Sequence, residues 1–248
     1  MSDLNLWQLL LVGVLFCWSG FVRSGLGFGG AALTLPLLLL IKDDPLVFLP
    51  IIAVHLLIFS SQTIYSSWGQ VNWPYLRKLL LILAIPKLAG IAGLLSFSPQ
   101  VMSGFIYVVT FLYALTYVFN YSFKGGVYID IPLLIMGGYF SGASLIGAPL
   151  IVAVATRHLA PAELRTTLFV LWFVLVCVKM AAFVMAGVDL QLWYAIYLLP
   201  VAGIGHFLGL RFNQRLVAAG QEKFIRVIGV TLILICIAGF WKLLTIDS

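Results

Sequence analysis

Charge is what this sequence has least of. Of its 248 residues, 14 are Lys or Arg and 8 are Asp or Glu, a 9% charged fraction beside 63% hydrophobic residues. A soluble globular chain carries roughly 25% charged residues to cover its surface. Most of this chain's outer face must therefore meet something other than water, which excludes ordinary soluble enzymes, nucleic-acid-binding domains and disordered segments. Cysteine is also scarce. Cys17, Cys177 and Cys236 lie singly in apolar runs with no CxxC and no histidine at metal-ligand spacing, so they read as small buried hydrophobes. There is no HExxH and no Ser/His/Asp set. The segment Gly25-Leu26-Gly27-Phe28-Gly29-Gly30 departs from GxGxxG and precedes no strand–helix unit, so no nucleotide fingerprint is present. No catalytic residue, metal or cofactor is assigned. A basic n-region is lacking in Met-Ser-Asp-Leu-Asn-Leu-Trp, so the first apolar stretch is expected to stay in the mature chain.

What fills the chain is apolar runs, at 4–22, 26–41, 46–67, 76–97, 101–119, 129–155, 164–187, 190–210 and 224–246. A membrane-spanning helix needs about 20 such residues. Only helices or a closed barrel satisfy the backbone in lipid, and these runs are too long for barrel strands. The expected fold is an all-α integral membrane protein, a polytopic helical bundle of about seven to nine membrane segments. Trp68, Trp73 and Trp193 fall near run ends, where tryptophan anchors to the interface.

Two runs are interrupted by glycine-rich breaks, at 25–30 and 142–149. They belong to an internal repeat. An offset of 117 carries Gly20, Gly25 and Gly30 onto Gly137, Gly142 and Gly147, Val71-Asn72 onto Val188-Asp189, and Gln62 onto Lys179. At a slightly shorter offset, Pro86-Lys87-Leu88-Ala89-Gly90-Ile91 is echoed by Pro200-Val201-Ala202-Gly203-Ile204. Residues 1–122 and 123–248 are thus expected to form two transmembrane repeats of a single membrane domain.

Lys and Arg in short loops mark the cytoplasmic side. The loops at Lys42 and at Ser98-Pro99-Gln100 hold one cation between them, against Arg77, Lys78 and Lys124 on the alternate loops. In the second half, Arg157, Arg165, Arg211, Arg215, Lys223 and Arg226 gather on alternate loops and the Asp189 turn has none. The Lys42 loop then lies outside and its repeat equivalent at Arg157 inside. That makes the halves an inverted pair, with both termini extracytoplasmic and 129–155 a re-entrant or hairpin element. A parallel four-plus-four arrangement is the alternative.

Paired broken helices in inverted halves are the binding-site layout of secondary transporters, where half-helix N-termini attract anions. The competing reading of Gly25, Gly27, Gly29, Gly30, Gly142 and Gly147 is a small-residue packing seam. The acids all sit at loops or helix ends, whereas Arg23, Lys87 and Lys179 lie in or near the membrane, at about 2.5–3.5 kcal/mol each if central and unpaired. An anion or water is their natural partner. Lys179 has the alternative of snorkelling to an interface, and Arg23 that of a cytoplasmic turn. Ser144 at the second break and Gln62 are candidate donors to an oxyanion. His55 and His206 are packed residues or participants in binding or proton movement.

The motif Gly25-Leu26-Gly27-Phe28-Gly29-Gly30-Ala31-Ala32-Leu33-Thr34-Leu35-Pro36 is echoed by Ser141-Gly142-Ala143-Ser144-Leu145-Ile146-Gly147-Ala148-Pro149-Leu150-Ile151-Val152. Together they resemble the paired motifs of the TauE/SafE sulfite and organosulfur exporter family, over essentially the whole chain. The second copy departs from the fuller Gly-Gly-Gly pattern at Gly147-Ala148-Pro149, and Ala153 stands where the first copy has Pro36. The resemblance implies export of a small anion (sulfite, a sulfonate or a related carboxylate) across a bacterial inner membrane. The expected partners are that anion and the lipid bilayer, with a coupling proton or ion and homo-oligomerisation both open and nucleic acid excluded. Two other classes compete: a membrane-embedded enzyme using His55 or His206, and a non-transporting partner subunit.

Overall fold

A computed structural model describes residues 1, 3–26, 30–121, 126–219 and 222–246. These residues are helical throughout, with no strand among them. The helices are α1 (Leu6–Leu26), α2 (Gly30–Ile41), α3 (Pro45–Ser67), α4 (Trp73–Ser96), α5 (Pro99–Val118), α6 (Val127–Ser144), α7 (Ala148–His158), α8 (Pro161–Met185), α9 (Leu192–Ala219) and α10 (Glu222–Ile246), with a single 3₁₀ turn at Trp68–Gln70. Seven of them, α1, α3, α4, α5, α8, α9 and α10, are long and apolar enough to cross a membrane. The polytopic all-α architecture expected from the sequence is the one present. Outward-facing Ile85 (79% exposed) and Leu234 (63%) illustrate the apolar exterior that lipid, not water, accommodates.

The second interruption coincides with helix ends: α6 stops at Ser144 and α7 starts at Ala148. At the first, α1 is described to Leu26 and α2 from Gly30, and residues 27–29 lie outside the described residues. In each half a long helix precedes a short one, of 12 residues in α2 and 11 in α7. At 1.5 Å per residue neither short helix crosses a hydrocarbon core of about 30 Å. α6 ends with Leu145 in the left-handed region (φ 61), its N–H donating to the Ser141 carbonyl. Glycine usually takes this position, so a leucine here marks a backbone held by its surroundings.

The chain forms two compact units, each drawing on both sequence halves. Unit 1 is Met1–Phe48, Phe97–Ser122 and Trp193–Ser248. In it α1 packs on α9 through a small-residue seam: a Cβ added at Gly20 would overlap the Ala202 carbonyl, and one at Gly205 the Cys17 carbonyl. Val22, Leu33, Ala114, Ile228 and Leu232 make a buried cluster joining α1, α2, α5 and α10. Asp3 and Lys42, which flank the α1–α2 pair, are joined at 2.5 Å, and Lys242 Nζ donates to the carbonyls of Leu39 (3.1 Å) and Leu40 (3.0 Å) at the end of α2.

Unit 2 is Leu49–Ser96 and Phe123–Leu192. Here α6 and α7 form an antiparallel hairpin. Gly147 packs on Gly137 and Ser141, Ile151 reaches back to Gly137, and at the open end Asp130 pairs with Arg157 and with His158 (2.6 Å). α4 lies along α6, where a Cβ at Gly142 would overlap the Lys87 carbonyl and one at Gly90 the Tyr139 carbonyl. Asn72 precedes α4 and accepts from Tyr75 N (3.1 Å), and Asp189, 117 positions later, accepts from Gln191 N (2.9 Å) before α9. Asn72 also ties this turn to α8, through Thr167 Oγ1 (3.0 Å) and Glu163 (3.2 Å).

Candidate functional site

In unit 2 two amines meet the last turn of α6. Lys87 Nζ donates to the carbonyl and hydroxyl oxygens of Ser141, both at 3.0 Å, and Lys179 Nζ donates to the Gly142 carbonyl at 2.7 Å. Lys87 is 1% exposed and Lys179 not at all. Lys179 also lies 5.5 Å from the centre of the Phe183 ring, within range of a cation–π contact. Burial excludes the interfacial snorkelling considered for Lys179. Among the described residues, no acid stands within ion-pair distance of either amine.

A helix C-terminus carries about half a negative charge. It accommodates part of one ammonium and leaves the rest uncompensated. Across the break, Gly147 is the N-cap of α7 and no side chain caps this N-terminus, the positive end of the helix dipole. Everything ionic at the break thus favours a negative partner. The glycines themselves are accounted for by close packing: Gly142 by α4, and Gly147 by Gly137 and Ser141. Ser144 is buried and its hydroxyl donates to the Phe140 carbonyl (3.0 Å), within its own helix.

Unit 1 gathers a second group of candidates. Arg23 (8% exposed) and Ser24 (2%) are buried near the end of α1, and Gly30 sits against the Arg23 side chain and the Ser19 carbonyl. Ser24 Oγ is hydrogen-bonded to Nδ1 of buried His206 on α9. Gly25 lies beside Gly209 of α9. Gly27 and Gly29 lie outside the described residues. His55 is buried on α3, edge-on to Phe59 at 6.4 Å, and Gln62 is on an exposed face of α3. Gln62 is exposed and Lys179, 117 positions later, is buried.

Two features escaped sequence reasoning. Ser141, which holds Lys87 with two acceptors, stood in the motif but signalled nothing beyond its place there. The Asp130–Arg157–His158 clasp was also missed, although an acid in a first helical turn and a basic pair ending the next short helix are both visible. Burial pushes the Asp130 carboxyl up, but hydrogen bonds and charge from His158 and Arg157 outweigh this and hold it below the ordinary carboxylate range. Beside the clasp is a cavity of about 60 Å³ lined by Tyr75, Lys78, Asp130, Leu134, Val154 and His158, among others. Among the described residues no cluster suits a metal ion.

Seven potential spans, two helices too short to cross and buried basic groups at a helix break define a polytopic membrane protein of transporter type. The chain belongs to the sulfite exporter TauE/SafE family, whose model matches residues 9–239. Membership implies a membrane exporter of sulfite or organic anions rather than an enzyme. Searches of curated proteins and of solved structures return no match.

Proposed function

We propose that this protein exports small anions, most simply sulfite, sulfonates or related organic anions, across the bacterial inner membrane. In this reading Lys87 and Lys179 attract the anion at the α6–α7 break, and Arg23 serves the corresponding end of α1. The observation that carries the reading is the pair of buried amines with no acid beside them among the described residues, in a member of an exporter family. An anion beside the amines offsets the cost of burying them, which makes binding favourable and selective for charge. The inverted duplication of residues 1–122 and 123–248, with the Lys42 loop outside, belongs to the same proposal. The test is thermal stabilisation of the purified protein by sulfite, alkyl sulfonates and short carboxylates, paired with flux in proteoliposomes. Stabilisation lost in Lys87→Ala or Arg23→Ala supports the reading, and no response to any of these anions refutes it.

The Ser24–His206 hydrogen bond favours a second reading, a membrane-embedded hydrolase, because it sets a histidine nitrogen on a potential nucleophile. Ser24 lies inside α1, where backbone N–H groups serve the helix and not an oxyanion hole. Labelling of Ser24 by a fluorophosphonate, lost in His206→Ala, would favour the hydrolase, and no labelling leaves the bond as a packing contact.

A further inference from the structure

Unit 1 contains a line of buried oxygens with nothing to bond. Ser103, Tyr107 and Thr110 on α5 and Thr34 on α2 are each at most 1% exposed. None of their hydroxyl oxygens has a hydrogen-bond partner among the described residues, and the same holds for both carboxylate oxygens of Asp43. Positions 103, 107 and 110 are spaced i, i+4, i+7 and share one face of α5. Buried helical hydroxyls commonly bond to a carbonyl one turn back, as Ser144 and Thr116 do. Ser103, Thr34 and Thr110 do not.

The line has a direction. Tyr107 sits over Gly239 of α10, where a Cβ would overlap its ring, and Lys242, three residues further along α10, reaches the Leu39 and Leu40 carbonyls at the end of α2. The end of α2, two residues before Asp43, is thus toward the Tyr107 end of the line, while Leu33 shares a cluster with Ala114. α2 therefore runs antiparallel to α5, which puts Thr34 within about one helical turn of Thr110. Thr34 is one turn beyond Gly30, so the oxygens lead from Asp43 to the first glycine-rich break. The other charges near Asp43 are already engaged: Lys42 with Asp3, Asp44 with Leu46 N, and Lys242 with the α2 carbonyls.

Buried polar groups in lipid-embedded helices must find partners, and where protein offers none, ordered water does. We infer that this line is hydrated and carries protons between Asp43 and the first break, giving the exporter a proton-coupling route. A proton enters on the Asp43 carboxylate and leaves through the water and hydroxyl chain, with no net change in the protein. The coupling rests on the anion-export reading, and the hydration does not.

Two arms test it. With Cys17, Cys177 and Cys236 replaced by Ala, Ser103→Cys and Thr110→Cys are treated with a charged methanethiosulfonate reagent, beside Val109→Cys, buried on another face of α5. Reaction at 103 and 110 at least tenfold faster than at 109 is expected, and equal rates overturn the proposal. In proteoliposomes holding a pH dye, 2-hydroxyethanesulfonate is the probe, because a sulfonate stays ionised and carries no proton itself. Asp43→Asn and Tyr107→Phe should each lose at least fivefold of sulfonate-driven proton movement while sulfonate exchange stays within twofold. Proton movement kept in both variants overturns the proposal. If the unmodified protein moves no anion, the export reading fails, and the thiol rates alone decide whether the line is hydrated.

Discussion

Lys87 and Lys179 bond to consecutive carbonyls, those of Ser141 and Gly142, at the last turn of α6. The amines come from different helices, α4 and α8, and converge on one helix end. A single amine there would be an ordinary cap. A second one adds a like charge that the helix dipole cannot offset.

This distinguishes two outcomes for Lys179→Met. If the amine only caps α6, the variant loses about 1–2 kcal/mol of stability and anions stabilise it as before. The anion reading expects instead a stability change of about 1 kcal/mol or less, because the lost hydrogen bond is offset by removal of a buried charge. Anion-dependent stabilisation should then fall at least tenfold in apparent affinity. Melting curves with and without sulfite check both.

Much of this was legible in the sequence because lipid simplifies the rules. The helices follow from run length, and both breaks follow from glycine clusters at 25–30 and 142–149. Lys87 and Lys179 stood out because a cation in an apolar run is costly wherever it goes. What the runs could not convey was direction around each helix. α6 and α4 are apolar on most faces, so nothing in their periodicity said that Gly142 meets the backbone of Lys87. For the same reason Gln62 and Lys179 were paired by register, though one faces outward and the other inward. The Asp130 clasp joins residues 27 and 28 positions apart, which only the hairpin brings together.

That clasp gives a pH prediction. Because Asp130 is held below the ordinary carboxylate range, its contribution is fully present above the unfolded value near 3.9 and is lost as pH falls through the lower folded value. Asp130→Asn should lose about 1–3 kcal/mol at neutral pH. It should also lose the part of the acid-induced drop that Asp130 causes. Unfolding followed between pH 3 and 7 in detergent measures both, and an unchanged acid limb in the variant would exclude the clasp as its cause.

Lys242 offers a control for cationic side chains in unit 1. It covers the final carbonyls of α2 without being buried among apolar groups on all sides, so its role is to cap. Lys242→Met should cost about 1–2 kcal/mol of stability. Sulfite stabilisation should be unchanged. A loss of anion response here would mean that the effect of removing lysines is a general charge effect, not a site.

The same exchange, Gly to Ala, should have opposite signs at two positions. Gly13 is inside α1 with open space where a Cβ would go, so Gly13→Ala gains helix propensity, up to about 1 kcal/mol. At Gly142 the new methyl would overlap the Lys87 carbonyl and press on Gly90. α4 must then move off α6, at about 1–3 kcal/mol for overpacking. The displacement also shifts Lys87, whose amine is held by Ser141 one residue before Gly142. Gly142→Ala should therefore lower both stability and anion response, whereas Gly13→Ala raises the first and leaves the second alone. Paired melting curves with and without sulfite read out both quantities. A Gly142→Ala protein that is destabilised yet still responds fully to sulfite would leave the α4–α6 seam a packing device and detach it from the anion site.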